Sequence, residues 1–194
     1  MSETTHTIVG TRSEIMTREL EKFDPYSASV TVIDENHRMI HDGAYFELWR
    51  ADATLGIGGV VDLLLAVPAL TFPHLQDITL EASDAPVVLE MYEDTVTSAD
   101  GTALPVFNKN RNSSNTPDTV VSVAPTITGV GTQIKRAAIT SPAGSSIVFS
   151  QTKSGEWVLK PDTKYLVRVT NNSGAVIDFN ITIGFYEPPE VIIA

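Results

Sequence analysis

The chain has 194 residues, 42% hydrophobic and 19% charged, with a formal net charge of −11 and no cysteine. That length suits one good-sized domain burying roughly 70% of its unfolded surface. The acidity argues against a large nucleic-acid footprint, and the missing thiols exclude disulfides and thiolate metal sites together. The longest apolar run, residues 60–70, is broken by Asp62 and Pro68 and falls short of the ~20 residues of a membrane span. No basic region followed by an apolar core opens the sequence, so no secretory signal is read, and synthesis in a reducing cytosol is expected.

Residues 1–27 read as an N-terminal arm. Residues 1–10 are polar and Thr-rich. Residues 13–23 carry Ser13 as a helix N-cap and a loose apolar stripe of Ile15, Met16, Leu20 and Phe23, closed by Asp24-Pro25. Such a helix is too short to hold alone. The arm is therefore expected to be poorly ordered in the free protein and to order against a neighbouring subunit through those four side chains.

From residue 28 to 194 the chain reads as a single β-sandwich domain. Val30, Val32, Met39 and Ile40 flank a polar turn at 34–37, and Gly43 precedes the strand-like 45–49. Residues 60–67 are nearly all apolar, suiting a strand buried on both sides or at a subunit contact. Residues 74–82 and 87–92 are expected to pair across 83–86. A long polar stretch, 93–115, precedes further strand-like runs at 119–123, 133–139 and 146–151.

The cleanest signal comes last. In 165–170, Tyr165, Val167 and Val169 share a face. In 177–186, Ile177, Phe179, Ile181, Ile183 and Phe185 alternate with Asp178, Asn180, Thr182, Gly184 and Tyr186. That period of two belongs to a strand. Asn171-Asn172-Ser173-Gly174 between the runs suggests a hairpin, which Pro188-Pro189 ends. About ten short strands at spacings of roughly 8–12 residues indicate an all-β, antiparallel, jelly-roll-like sandwich, with no helix after residue 27.

Motifs for chemistry are lacking. His37 and His41 stand at i, i+4, but in a strand or turn that spacing is about 13 Å, too far for one metal. The other histidines, His6 and His74, form no His-x-His pair, and 56–59 is a glycine turn without a phosphate-binding helix behind it. There is no Gly-x-Ser-x-Gly elbow. No catalytic residue, metal or cofactor is expected. The densest polar segment is 108–115, where Asn108, Asn110, Arg111 and Asn112 are candidate partner contacts. The competing reading is a connection whose amides cap their own backbone.

Several stretches, in order, carry a resemblance. They are residues 37–46 (HRMIHDGAYF), 89–93 (LEMYE), Gly101-Thr102, 108–114 (NKNRNSS), 159–171 (LKPDTKYLVRVTN) and 185–187 (FYE). Together, over residues 36–187, they resemble small virion proteins of tailed bacteriophages found among head genes near the major capsid protein. The resemblance implies a jelly-roll-like capsid decoration, or cement, protein. Such a protein would be made in the host bacterial cytoplasm and carried on the virion head surface. It would bind the major capsid protein and copies of itself, as a dimer or trimer, without nucleic acid, membrane or enzymatic activity. A head-fibre or tail-fibre-type receptor- or glycan-binding β-sandwich module is the alternative. Carbohydrate binders present exposed Trp and Tyr platforms, whereas both tryptophans here lie in strand contexts.

Overall fold

The structure, a computed structural model, describes residues 22–23, 30–31, 34–140, 146–150 and 156–188. The chain divides into two compact units, Met1–Arg38 and Met39–Ala194.

In the first unit, β1 (Lys22–Phe23) pairs antiparallel with β2 (Val30–Thr31), Phe23 opposite Val30. Phe23 was expected to close a helix and instead lies in a strand. Asp24-Pro25 disfavours helix just beyond it, and Val30 and Thr31 offer a β-branched partner. The rest of the expected helix, 13–21, lies outside the described residues.

The turn expected at 34–37 also needs correcting, because helix α1 (Glu35–His41) begins there. Asp34 caps it. The Asp34 side chain accepts from the Asn36 N–H at 3.0 Å, its carbonyl accepts from Arg38 N–H, and Arg38 pairs with Glu35 one turn back.

In the second unit the same helix ends on Gly43, at φ +68°. The Gly43 N–H bonds Ile40 O and the Ala44 N–H bonds Met39 O, a Schellman closure. A side chain at 43 would strain that φ, and its Cβ would lie 2.3 Å from Ser113 Oγ.

The strands follow in chain order. First come β3 (Tyr45–Leu55), β4 (Val60–Val67), β5 (His74–Ala82) and β6 (Val87–Glu93). Short pieces then intervene: β7 (Val96–Ala99), β8 (Thr102–Ala103), β9 (Phe107–Asn108), β10 (Val120–Val123) and β11 (Thr126–Gly129). Last are β12 (Thr132–Ile139), β13 (Ser146–Ser150), β14 (Trp157–Val158), β15 (Thr163–Asn171) and β16 (Ile177–Tyr186).

They form two antiparallel sheets and a small ribbon. One sheet runs β13-β5-β16-β3-β9, with β14 also on β5. The other runs β12-β6-β15-β4-β10-β8, and β11 pairs with β7. Reduced to eight main strands, the orders are β13-β5-β16-β3 and β12-β6-β15-β4. The chain changes sheet at every step except β6 to β12, which is the jelly-roll order.

This order corrects two expected pairings. β15 and β16 do not form a hairpin: β15 lies between β4 and β6, and β16 between β3 and β5. Nor does β5 pair with β6. A corner between sheets has the same local sequence as a hairpin, two alternating runs around a polar turn. What differs is that the apolar faces meet across the core instead of lying side by side. Tyr165, Val167 and Val169 share that core with Phe179, Ile181, Ile183 and Phe185, none more than 3% exposed.

Two local readings sharpen. In β4, Leu63, Leu64 and Leu65 are all fully buried, the two-sided burial its composition suggested. In β5 the alternation breaks: Gly184 faces Asp77 but Phe185 faces Leu75, so Gln76 is an extra bulged residue. The bulge lets Leu75 join Ile78, Leu80 and Ala82 in the core.

The polar connections are pinned by carboxylates. Glu93 accepts from Lys160 Nζ at 2.6 Å and from the Tyr165 hydroxyl at 3.0 Å. Asp100 accepts from Lys164 Nζ at 2.6 Å and from Thr97 Oγ1. The Lys160 and Lys164 ammonium groups hold Glu93 and Asp100 below their ordinary ranges. At Glu156 burial pushes upward, but hydrogen bonds from Gln76, His74 and Tyr186 outweigh it and lower the pKa. A carboxyl whose folded pKa is depressed stabilises above its unfolded pKa, and loses that contribution as pH falls through the folded value. The melting temperature should therefore drop on acidification below about pH 4, in a series of thermal melts. Glu93→Gln should flatten that acid limb, since it removes one of the three linked groups.

Candidate partner-contact surface

The polar loop is built onto the end of α1. β9 lies beside β3, with Phe107 opposite Glu47 and Asn108 opposite Phe46. Asn108 is buried. Its Nδ2 donates to Gly43 O at 2.8 Å and Asn115 O at 3.1 Å, and its Oδ1 accepts from Asn110 N–H. Asn110 Nδ2 donates to His41 O at 3.0 Å while its Oδ1 accepts from Asn112 N–H. Asn115 Nδ2 reaches Gly43 O as well, at 3.2 Å. A helix end leaves carbonyls without intrahelical partners; here Asn110 satisfies that of His41, while Asn108 and Asn115 hold Gly43 O just past the end.

Asn108 and Asn110 thus hold their own chain together, as the capping reading requires. Arg111 and Asn112 are exposed, and the Arg111 guanidinium lies 5.7 Å from the centre of the half-exposed Phe107 ring. Beside them Lys109 pairs with Glu47 at 2.8 Å and covers the Tyr45 ring. Of the arm residues, Ile15, Met16 and Leu20 lie outside the described residues, and Phe23 is the second residue of β1.

Stretches far apart in sequence meet at this junction. Lys109 N–H bonds Tyr45 O, and Glu187 N–H bonds Ala44 O. The Glu187 carboxylate, which sequence reasoning did not single out, accepts from the N–H groups of Asp118 and Thr119 at 2.7 and 2.9 Å. Residues 41–46, 108–115 and 185–187 therefore form one hydrogen-bonded unit.

The outer face of the β3 sheet adjoins it. Tyr45 OH donates to Asp77 Oδ1 at 3.2 Å across Gly184, where a Cβ would lie 2.3 Å from that oxygen. Burial, then the Asp77 charge, raises the Tyr45 phenol, and burial raises Asp77. His74 stacks on Tyr186 at 4.5 Å, and Glu156 accepts from Gln76 and Tyr186. Farther along β3, Trp49 is 58% exposed, whereas Trp157 packs against the core.

His37 and His41 lie on α1, not in the strand or turn expected of them, and both are exposed. Among the described residues no group of three or more His, Cys, Asp or Glu is placed to hold a metal ion, and no helix is long and apolar enough to cross a membrane. Compared with protein-family models and with curated proteins, the chain matches none.

Proposed function

We propose that this chain is a non-enzymatic structural protein of a bacteriophage virion, a decoration protein that binds the major capsid protein on the head surface and associates with copies of itself. One observation carries the reading. Residues from three of the stretches behind the resemblance, 41–46, 108–114 and 185–187, converge on one junction of a jelly roll. Residues of two more, Glu93, Lys160 and Tyr165, pin another part of the same fold. The resemblance therefore falls on the framework of the fold, as a shared architecture requires. A disulfide-free sandwich with rigid self-capped loops suits a lattice contact, where many weak attachments act together.

The test uses capsids stripped of native decoration. Full-length protein should coat them, seen by cryo-electron microscopy and co-sedimentation. Deleting residues 1–26 should abolish coating while leaving the sandwich's melting temperature nearly unchanged. Full occupancy by the truncated protein would remove the arm as anchor, and failure of the full-length protein to coat would overturn the reading. Glycan binding, as on a fibre, is the second reading, and the exposure of Trp49 favours it.

A further inference from the structure

We propose that the outer face of the β3 sheet around Trp49 is a binding site for a neutral saccharide. The proposal rests on the glycan-binding reading and places Trp49 outside any capsid contact.

Strand alternation and register define the face. Phe46, Leu48, Ile181, Ile183, Ile78 and Leu80 point into the core, so their neighbours point out. The central outward row runs Trp49, Thr182, Thr79 across β3, β16 and β5. On one side of it Asn180 faces Glu81; on the other is Asp77. Trp49 is thus an exposed indole beside hydroxyl, amide and carboxylate groups, and the half-exposed Phe107 ring, opposite Glu47, lies next along the same face.

That chemistry selects the occupant. A protein partner docked by burial would need a continuous apolar patch. A pyranose has one C–H face that packs on an indole and a rim of hydroxyls needing donors and acceptors. Threonine hydroxyls and an asparagine amide supply both. Asp77 Oδ1 already accepts from Tyr45, and Oδ2 supplies an acceptor for a sugar hydroxyl. Lys109 is paired with Glu47 and Arg111 lies over Phe107 at the edge of this face, so the carboxylates of Asp77 and Glu81 beside Trp49, with the chain's net charge of −11, disfavour anionic glycans. The ligand class is therefore a neutral oligosaccharide.

Full-length protein should be applied to an array of neutral and anionic oligosaccharides, then titrated with the neutral sugars retained, following tryptophan fluorescence. The chain has two tryptophans, so the Trp157→Phe variant makes Trp49 the sole reporter. Neutral sugars should bind and shift its emission to the blue. Trp49→Ala should weaken binding at least ~tenfold, as expected for a Trp anchor, with an unchanged melting curve. Thr182→Val, which keeps shape and removes the hydroxyl, should also weaken it. Binding to no neutral sugar, preference for anionic ones, or undiminished binding by Trp49→Ala would each overturn the assignment. Trp49→Ala should still coat stripped capsids. Loss of coating would place Trp49 in the capsid contact and overturn the saccharide site, whereas sugar binding by a protein that never coats capsids would uphold it without the decoration reading.

Discussion

Replacing Asn171 with leucine should destabilise the sandwich by roughly 3–5 kcal/mol, measured by equilibrium urea denaturation. The Asn171 side chain has no exposed surface. Its Nδ2 donates to the carbonyls of Leu55, Gly56 and Ala175 at 2.8–3.0 Å, and its Oδ1 accepts from Ser173 N–H at 2.9 Å and Ser173 Oγ at 2.7 Å. Its backbone adds bonds with Gly58 and Gly59. One amide therefore ties the loop after β3 to the loop after β15. Leucine keeps the branched outline, is bulkier, and satisfies none of these groups, and each buried group left unpaired costs about 1–3 kcal/mol. Some regain water at the exposed loops, so the sum is smaller than the count suggests. Asn171→Asp makes the cause visible. A carboxylate there would face three carbonyl oxygens, so its folded pKa would lie above the unfolded ~3.9. The penalty would be complete above the folded value and fade as pH falls toward the unfolded one. Equal destabilisation of both variants at acid and neutral pH would refute the hydrogen-bond account.

Phe185→Ala should cost about 3–5 kcal/mol by the same measurement, with the midpoint lowered and the denaturant slope unchanged. Phe185 is fully buried, 5.8 Å from the Phe46 ring in a tilted pair, and contacts the core from the centre of its sheet. The cavity has rigid strands on both sides, which limits collapse. A loss below about 1 kcal/mol would mean the core is looser than this packing.

The inward face of β16 was legible because five apolar residues recur with period two, a pattern set by the strand itself. Its partners were not legible. Hairpin and inter-sheet corner share local chemistry, and only the requirement to cover both sheets separates them. The seven residues of α1 were too few to show a helical period, although Asp34 and Gly43 were available as cap signals. Missing the helix hid the purpose of Asn110, which satisfies the carbonyl of His41 at its end, and of Asn108, which holds Gly43 O just beyond it. The pairing of Asp62 with Arg168, at 2.7 and 2.9 Å, joins residues 106 positions apart, and no local pattern announces it. The saccharide face was hidden for a different reason. A tryptophan in a strand is outward or inward according to register, and Leu48 takes the inward place beside it.

The strand order also bears on how the chain acquires its structure during synthesis. β15 and β16 are the last described strands, yet each is interior to its sheet, between β6 and β4 and between β5 and β3. As the polypeptide leaves the ribosome, the two strands on either side of each gap emerge well before the strand that fills it. Until then the facing edges of β3, β4, β5 and β6 carry unpaired N–H and C=O groups and uncovered apolar faces, the condition in which nascent β-proteins aggregate. Closure needs contacts between distant residues, whose loop entropy makes folding slow. Neither sheet can be completed until β15 and β16 emerge, and holdase chaperones have their longest opportunity before residue 163 appears.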